Sequence, residues 1–187
     1  PESTEGRTFQ KSIVINNSLS GGLRYDATGV HVLVRDDGVV GPHVDFQGRL
    51  TNLTTDFTGT HGDGVAGVMA GAGNIAPTVQ AGASGADVTV INYTSAFQDN
   101  TLALHQNEGV VITNSSYSNG CNAGYTSTTQ TVDNQVFNNQ TLMHVFSAGN
   151  SNNNDCGYGA GNQWGNITGG HKMGKNVMAT ANLFNDG

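Results

Sequence analysis

From about residue 30 the chain alternates short β-branched runs with longer segments whose apolar residues recur at helical spacing. That is the pattern of an α/β domain with a mostly parallel sheet. GVHVLVRDDG (29–38) reads as a strand closed by an Asp-Asp-Gly turn, and ADVTVINY (86–93), GVVITN (109–114), LMHVFSAGN (142–150) and NVMATANLF (176–184) read as further strands. Two helices are expected between them. SAFQDNTLALHQNE (95–108) places Phe97, Leu102, Leu104 and His105 on a loosely apolar face, and STTQTVDNQVFNNQ (127–140) repeats Val132, Val136 and Phe137. HGDGVAGVMAGAG (61–73) is different, because its residues are nearly all small. Each Gly costs a helix about 1 kcal/mol relative to Ala, so a helix here needs close approach to a sheet to justify it, with His61 held as its first residue. A Gly-rich loop is the alternative, and the stretch alone leaves both open.

Composition narrows the function. Only 11% of the 187 residues are charged, and 7 Lys+Arg against 14 Asp+Glu leave a net charge of −7. Nucleic-acid binding needs clustered basic residues, whereas Arg7, Arg24, Arg35 and Arg49 are scattered singly. No apolar run approaches the roughly 18 residues of a membrane helix, and the N-terminal PESTEGRTFQ lacks the charged head and apolar middle of a signal peptide. Polar surface comes from Asn, Thr, Ser and Gly instead of charge, as in the run Asn152, Asn153, Asn154, which suggests a secreted protein in processed form. No repeat or Pro-rich linker divides the chain. Residues 1–24 read as an N-terminal segment and 25–187 as one domain. Cys121 and Cys156 sit in Gly/Asn-rich segments, either as free thiols or as one disulfide in an oxidising compartment.

Asp36 and Asp37 fall at the C-terminal end of the first strand, where α/β sheets place ligands and catalytic groups. Strand alternation lets only one of them point back under the sheet. Taken singly, Asp-Asp-Gly is also good turn chemistry, His61 could be a structural histidine, and Asn150 could be a turn residue with positive φ.

Taken in order, these segments resemble the subtilisin-like serine proteases across residues 25–183. HVLVRDDG follows the family's V-x-V-x-D-x-G and aligns Asp36 as the catalytic aspartate; HVDF (43–46) follows H-P-D-F/L with Val44 in place of Pro. HGDGVAG follows H-G-T-H-V-A-G with Asp63 and Gly64 replacing Thr and His, and SAGN aligns Asn150 as the oxyanion-hole side chain. GASGADVTV (82–90) resembles a further family segment without its usual Pro.

The resemblance implies a three-layer subtilisin-like fold, with a mostly parallel sheet flanked by helices, incomplete in this chain, residues 25–187 being the N-terminal two-thirds of the catalytic domain. It implies a serine endopeptidase in which Asp36 orients His61, His61 takes the proton of a serine, and Asn150 stabilises the oxyanion. Substrate peptide would add as a strand beside Ser115, Ser116 and Tyr117, with Ala148 and Gly149 as a pocket wall and Gly169 as its floor. Those small walls imply broad, apolar-leaning specificity. With the resemblance, Cys121 and Cys156 are expected to form a disulfide joining two pocket walls. No cofactor is required. Calcium is a possible structural ion of such proteases; Asp45 aligns with a carboxylate ligand, yet the loop that completes that site is missing from VMAGAGNIAP, so no ion is expected there. NSNNND (150–155) has oxygen ligands but reads as a solvated loop.

One departure is large. The family nucleophile lies in G-T-S-M-A, and neither Gly-Thr-Ser nor Gly-x-Ser-x-Gly occurs in the chain. The expectation is therefore a two-chain protease in which these residues, inactive alone, pair with a C-terminal chain that carries the serine, after a break in the turn-like segment at Asp186 and Gly187. A noncatalytic secreted adhesion or binding domain is the alternative, and it predicts no coupling of Asp36 to His61. A metal-dependent hydrolase built on Asp36, Asp37, His43 and His61 has suitable residue types but no supporting spacing.

Overall fold

The computed structural model describes residues 12–16, 23–55, 59–93, 97–117, 124–150, 155 and 170–181. The chain divides into two compact units, Pro1–Thr94 and Ser95–Gly187. In each, a parallel three-stranded arrangement carries helices in its connections, so the α/β class and parallel strands are those expected from the sequence.

The first unit contains α1 (Ser12–Asn16), β1 (His31–Asp36), β2 (Leu50–Asn52), α2 (His61–Ala70) and β3 (Asp87–Asn92). Central β3 pairs in parallel with β1, from His31 opposite Asp87 to Asp36 opposite Asn92, and with β2 through Leu50 opposite Val88. Val32 through Asp36 are all buried, which explains the near-continuous apolar run: both faces of β1 are covered. The small-residue segment 61–73 is a helix over its first ten residues. Gly62, Ala66 and Ala70, each four residues apart, form its buried stripe. Three-residue β2 and five-residue α1 were not expected; neither is long enough to show a period.

The second unit contains α3 (Phe97–Glu108), β4 (Ile112–Ser115), α4 (Ser127–Asn138), β5 (Met143–Ser147), a 3-10 turn (Gly170–Met173) and β6 (Met178–Thr180). Central β5 pairs in parallel with β4, Ser115 opposite Phe146, and with β6, Ser147 opposite Thr180. Strand β4 begins later than the apolar run suggests. Gly109 adopts φ 75° and Val110 N–H returns to Leu104 C=O, so the helix terminator consumes the start of the run. Thr126 and Thr129 form a capping box at the start of α4. Phe137 departs from the expected apolar face of this helix and is 74% exposed. It lies five positions, about 140° round the helix, from Val132. The buried residues of α4 are Thr129, Val132, Asp133 and Gln135. Val132 packs with Phe146 and Val177, while Asp133 accepts bonds from Tyr125 Oη (2.8 Å) and Asn176 N (2.8 Å).

Candidate active site

Asp36 ends β1 with its side chain 1% exposed. Its Oδ1 accepts the Nδ1–H of His61 at 2.7 Å and the N–H of Asp37 at 2.9 Å. An ionised carboxylate only accepts, so this bond fixes the proton of neutral His61 on Nδ1. His61 opens α2 with its side chain 59% exposed, and this tautomer leaves Nε2 able to accept. Burial pushes the Asp36 carboxyl above its ordinary pKa, against the opposing pull of the His61 and Asp37 hydrogen bonds. The bond to Asp36, outweighing the cost of desolvation, raises the His61 imidazole above its ordinary value.

The neighbouring carboxylate does something else. Asp37 Oδ1 accepts from Gly62 N at 2.8 Å and Oδ2 from His61 N at 3.2 Å, so it closes the start of α2. The formal N-cap, Thr60, makes no side-chain capping bond. Burial opposes ionisation of Asp37, but the Gly62 and His61 N–H groups prevail and hold its carboxyl below the ordinary range. In the same first turn Asp63 Oδ1 accepts Gly41 N at 2.6 Å. At the far end Arg49 reaches Ala70 C=O at 3.0 Å, and its guanidinium also donates to the carbonyls of Asp45 and Ala86. A helix of poor propensity is thus held by charges that match its dipole at both ends.

The metal-hydrolase set is not gathered. His43 stands at the start of the 3-10 turn Val44–Phe46, with Nδ1 accepting Asp45 N at 3.2 Å. Asp45 Oδ1 is engaged by Asn74 N at 2.7 Å. Among the described residues no group of three or more His, Cys, Asp or Glu could hold a metal ion.

In the second unit, Ser115, Ser116 and Tyr117 leave the end of β4, and Ala148, Gly149 and Asn150 leave the same end of its parallel neighbour β5. Ser115 is buried, Ser116 Oγ accepts Asn114 Nδ2 at 2.9 Å, and Tyr117 is half-buried. Ala148 is held through both of its backbone polar groups. Its N–H donates to Thr180 C=O at 2.7 Å, and its C=O accepts from Lys172 Nζ at 2.7 Å. The positive φ of the Ser-Ala-Gly-Asn turn falls on Gly149 (109°), not on Asn150, whose side chain is exposed.

Lys172 is only 6% exposed, and burial lowers its pKa. The adjacent His171 ring lies edge-on to Tyr117, centroids 5.6 Å apart, and 4.3 Å from Phe146. The 3-10 turn Gly170–Met173 therefore braces both expected pocket segments. Sequence reasoning missed it because no motif or apolar period marks His171 or Lys172. Gly169, Cys121 and Cys156 lie outside the described residues.

The model of the subtilase family (peptidase S8) matches residues 27–182. No curated protein sequence matches the chain. Among solved structures the chain is similar to a mutant of the protease domain of PatA, at 20% identity and TM-score 0.60, covering 87% of this chain and 61% of that one. It is also similar to the prenylagaramide maturation protease PagA, at 22% and 0.54, covering 66% and 47%. The CspB protease of Clostridium perfringens aligns at 16% and 0.58, covering 77% and 40%. The chain thus spans roughly half the length of the structures it resembles, and those likenesses establish a shared subtilisin-like fold.

Proposed function

Because this chain belongs to the subtilase family, we propose that it supplies the Asp-His half of a serine endopeptidase that cleaves peptide bonds by acyl transfer to a serine. The observation that carries the reading is the 2.7 Å bond from His61 Nδ1 to buried Asp36. A noncatalytic adhesion domain gives no reason to bury a carboxylate against an exposed imidazole.

In this reading Asp36 holds the His61 tautomer and stabilises the imidazolium that forms when Nε2 takes the serine proton; His61 then returns that proton to the leaving amine. The Asn150 side chain donates to the tetrahedral oxyanion. An extended peptide pairs with the edge formed by Ser115, Ser116 and Tyr117, and Ala148, Gly149 and Gly169 shape the pocket. The chemistry requires no metal or cofactor.

No Gly-Thr-Ser occurs in the 187 residues, so the nucleophile comes from polypeptide outside them. These residues alone, without a nucleophile, are expected to be inactive. Cys121 and Cys156 form a disulfide in this reading, which suits a secreted protein with an Asn-, Thr- and Ser-rich, weakly charged surface.

Asp36→Asn in the complete protease tests the reading. Asn favours the wrong imidazole tautomer, and the expected loss of kcat is about 10⁴-fold. Thermal stability at neutral pH should not fall, because burial already opposes the Asp36 charge. A loss of activity under tenfold would remove Asp36 from the mechanism.

A further inference from the structure

We propose that Asp37 is a positioning residue for His61: its carboxylate ties down the first two N–H groups of α2, and so fixes the imidazole against Asp36. The inference rests on the protease reading for its kinetic consequences, but its geometry stands apart from it.

Three observations converge. Both Asp37 oxygens are committed to the helix start, Oδ1 to Gly62 N at 2.8 Å and Oδ2 to His61 N at 3.2 Å. The residue that should cap α2, Thr60, makes no side-chain capping bond. The glycines beside the carboxylate leave it no spare room. A Cβ on Gly59 would stand 1.8 Å from Asp37 Oδ2, and one on Gly62 would stand 3.2 Å from Asp36 Cβ and 3.3 Å from Asp37 Oδ1. Asp37 is thus seated between the helix that carries His61 and the strand that carries Asp36, and any rotation of the first turn that moves the ring must also break its bonds.

Its charge acts in the same direction. Among the described residues, the charged groups that act on His61 are Asp36 and Asp37, both from the end of β1, and each favours the imidazolium. Asp63, on α2 itself, directs Oδ1 to Gly41 N. A neutral residue at position 37 therefore lowers the His61 pKa. Because the neutral ring is the base, the acid limb of kcat/KM then moves to lower pH.

The experiment uses the intact protease with isotopically labelled histidine, the His61 resonance being assigned with His61→Gln. The expected result for Asp37→Asn is a His61 titration midpoint at lower pH than wild type, with the acid limb of kcat/KM displaced equally. For Asp37→Ala, which loses both acceptors, kcat should also fall about 10- to 10²-fold, as for a misplaced catalytic group, with KM within about twofold. An unchanged His61 midpoint and unchanged kcat in both variants, with only a lower Tm, would reduce Asp37 to a structural cap and overturn the proposal. If Asp37→Ala fails to fold, the near-isosteric Asn variant still decides through its midpoint. The protease reading fails separately: a His61 midpoint that moves in Asp37→Asn, in a protein with no peptide hydrolysis, upholds the positioning role and rejects the catalysis.

Discussion

Asp36 and Asp37 are adjacent in the chain and opposed in their ionisation. Burial raises the pKa of the first, while helix N–H groups hold the second below its ordinary range. The linkage signs follow. His61 and Asp36, both raised, contribute stability at acid pH that is lost as pH climbs through their folded pKa values; Asp37 contributes above the unfolded carboxylate pKa and is lost as pH falls through its lowered one. Activity runs against the His61 stability term. The base must be neutral, so kcat/KM should decline as pH drops through a midpoint above the ordinary imidazole value. A flat profile from about pH 5 to 9 would contradict a histidine base. Which carboxylate faces the ring was legible from the D-x-G spacing and strand alternation. The role of Asp37 was not, because its partners are backbone N–H groups of His61 and Gly62, far along the chain, and a backbone donor leaves no mark on composition.

At the scale of elements, α2 shows how close packing overrides propensity. The sequence left 61–73 balanced between helix and loop, since its glycines argue against a helix and only the strand it packs against argues for one. The structure separates those glycines. Gly62 lies against Asp36 Cβ, whereas a Cβ at Gly64 or Gly67 would meet nothing within 4 Å beyond its chain neighbours and its own helix backbone. Gly64→Ala should therefore stabilise the protein by about 0.5–1 kcal/mol, the propensity gain of an open helix position, and leave kcat unchanged. Gly62→Ala should forfeit that gain, because β1 cannot retreat, and should lower kcat by displacing His61. Denaturant melts and steady-state rates on both variants check this, and equal effects would refute the packing argument. Helix α4 failed in the opposite way. Its apolar residues suggested a face through Phe137, but buried Asp133, satisfied by Tyr125 and Asn176, turns Phe137 outward. Polar residues buried with partners, like His171 and Lys172, mislead any reading based on hydropathy.

For the molecule as a whole, the alternation of strands and helices and the order of three short motifs were enough to read the α/β class and the family, which a match over residues 27–182 establishes. The chain spans 47% of PagA and 61% of the PatA protease domain, and it holds Asp36, His61 and Asn150 without a Gly-Thr-Ser. The central claim is that these residues serve a serine carried elsewhere. Its most direct test is to label the intact protease with a fluorophosphonate, separate the polypeptides under denaturing conditions and map the modified residue by mass spectrometry, with His61→Ala alongside. The account predicts one labelled serine, outside these 187 residues, and no labelling in the His61 variant. A label on any serine within the 187 residues, or labelling that survives loss of His61, would contradict it.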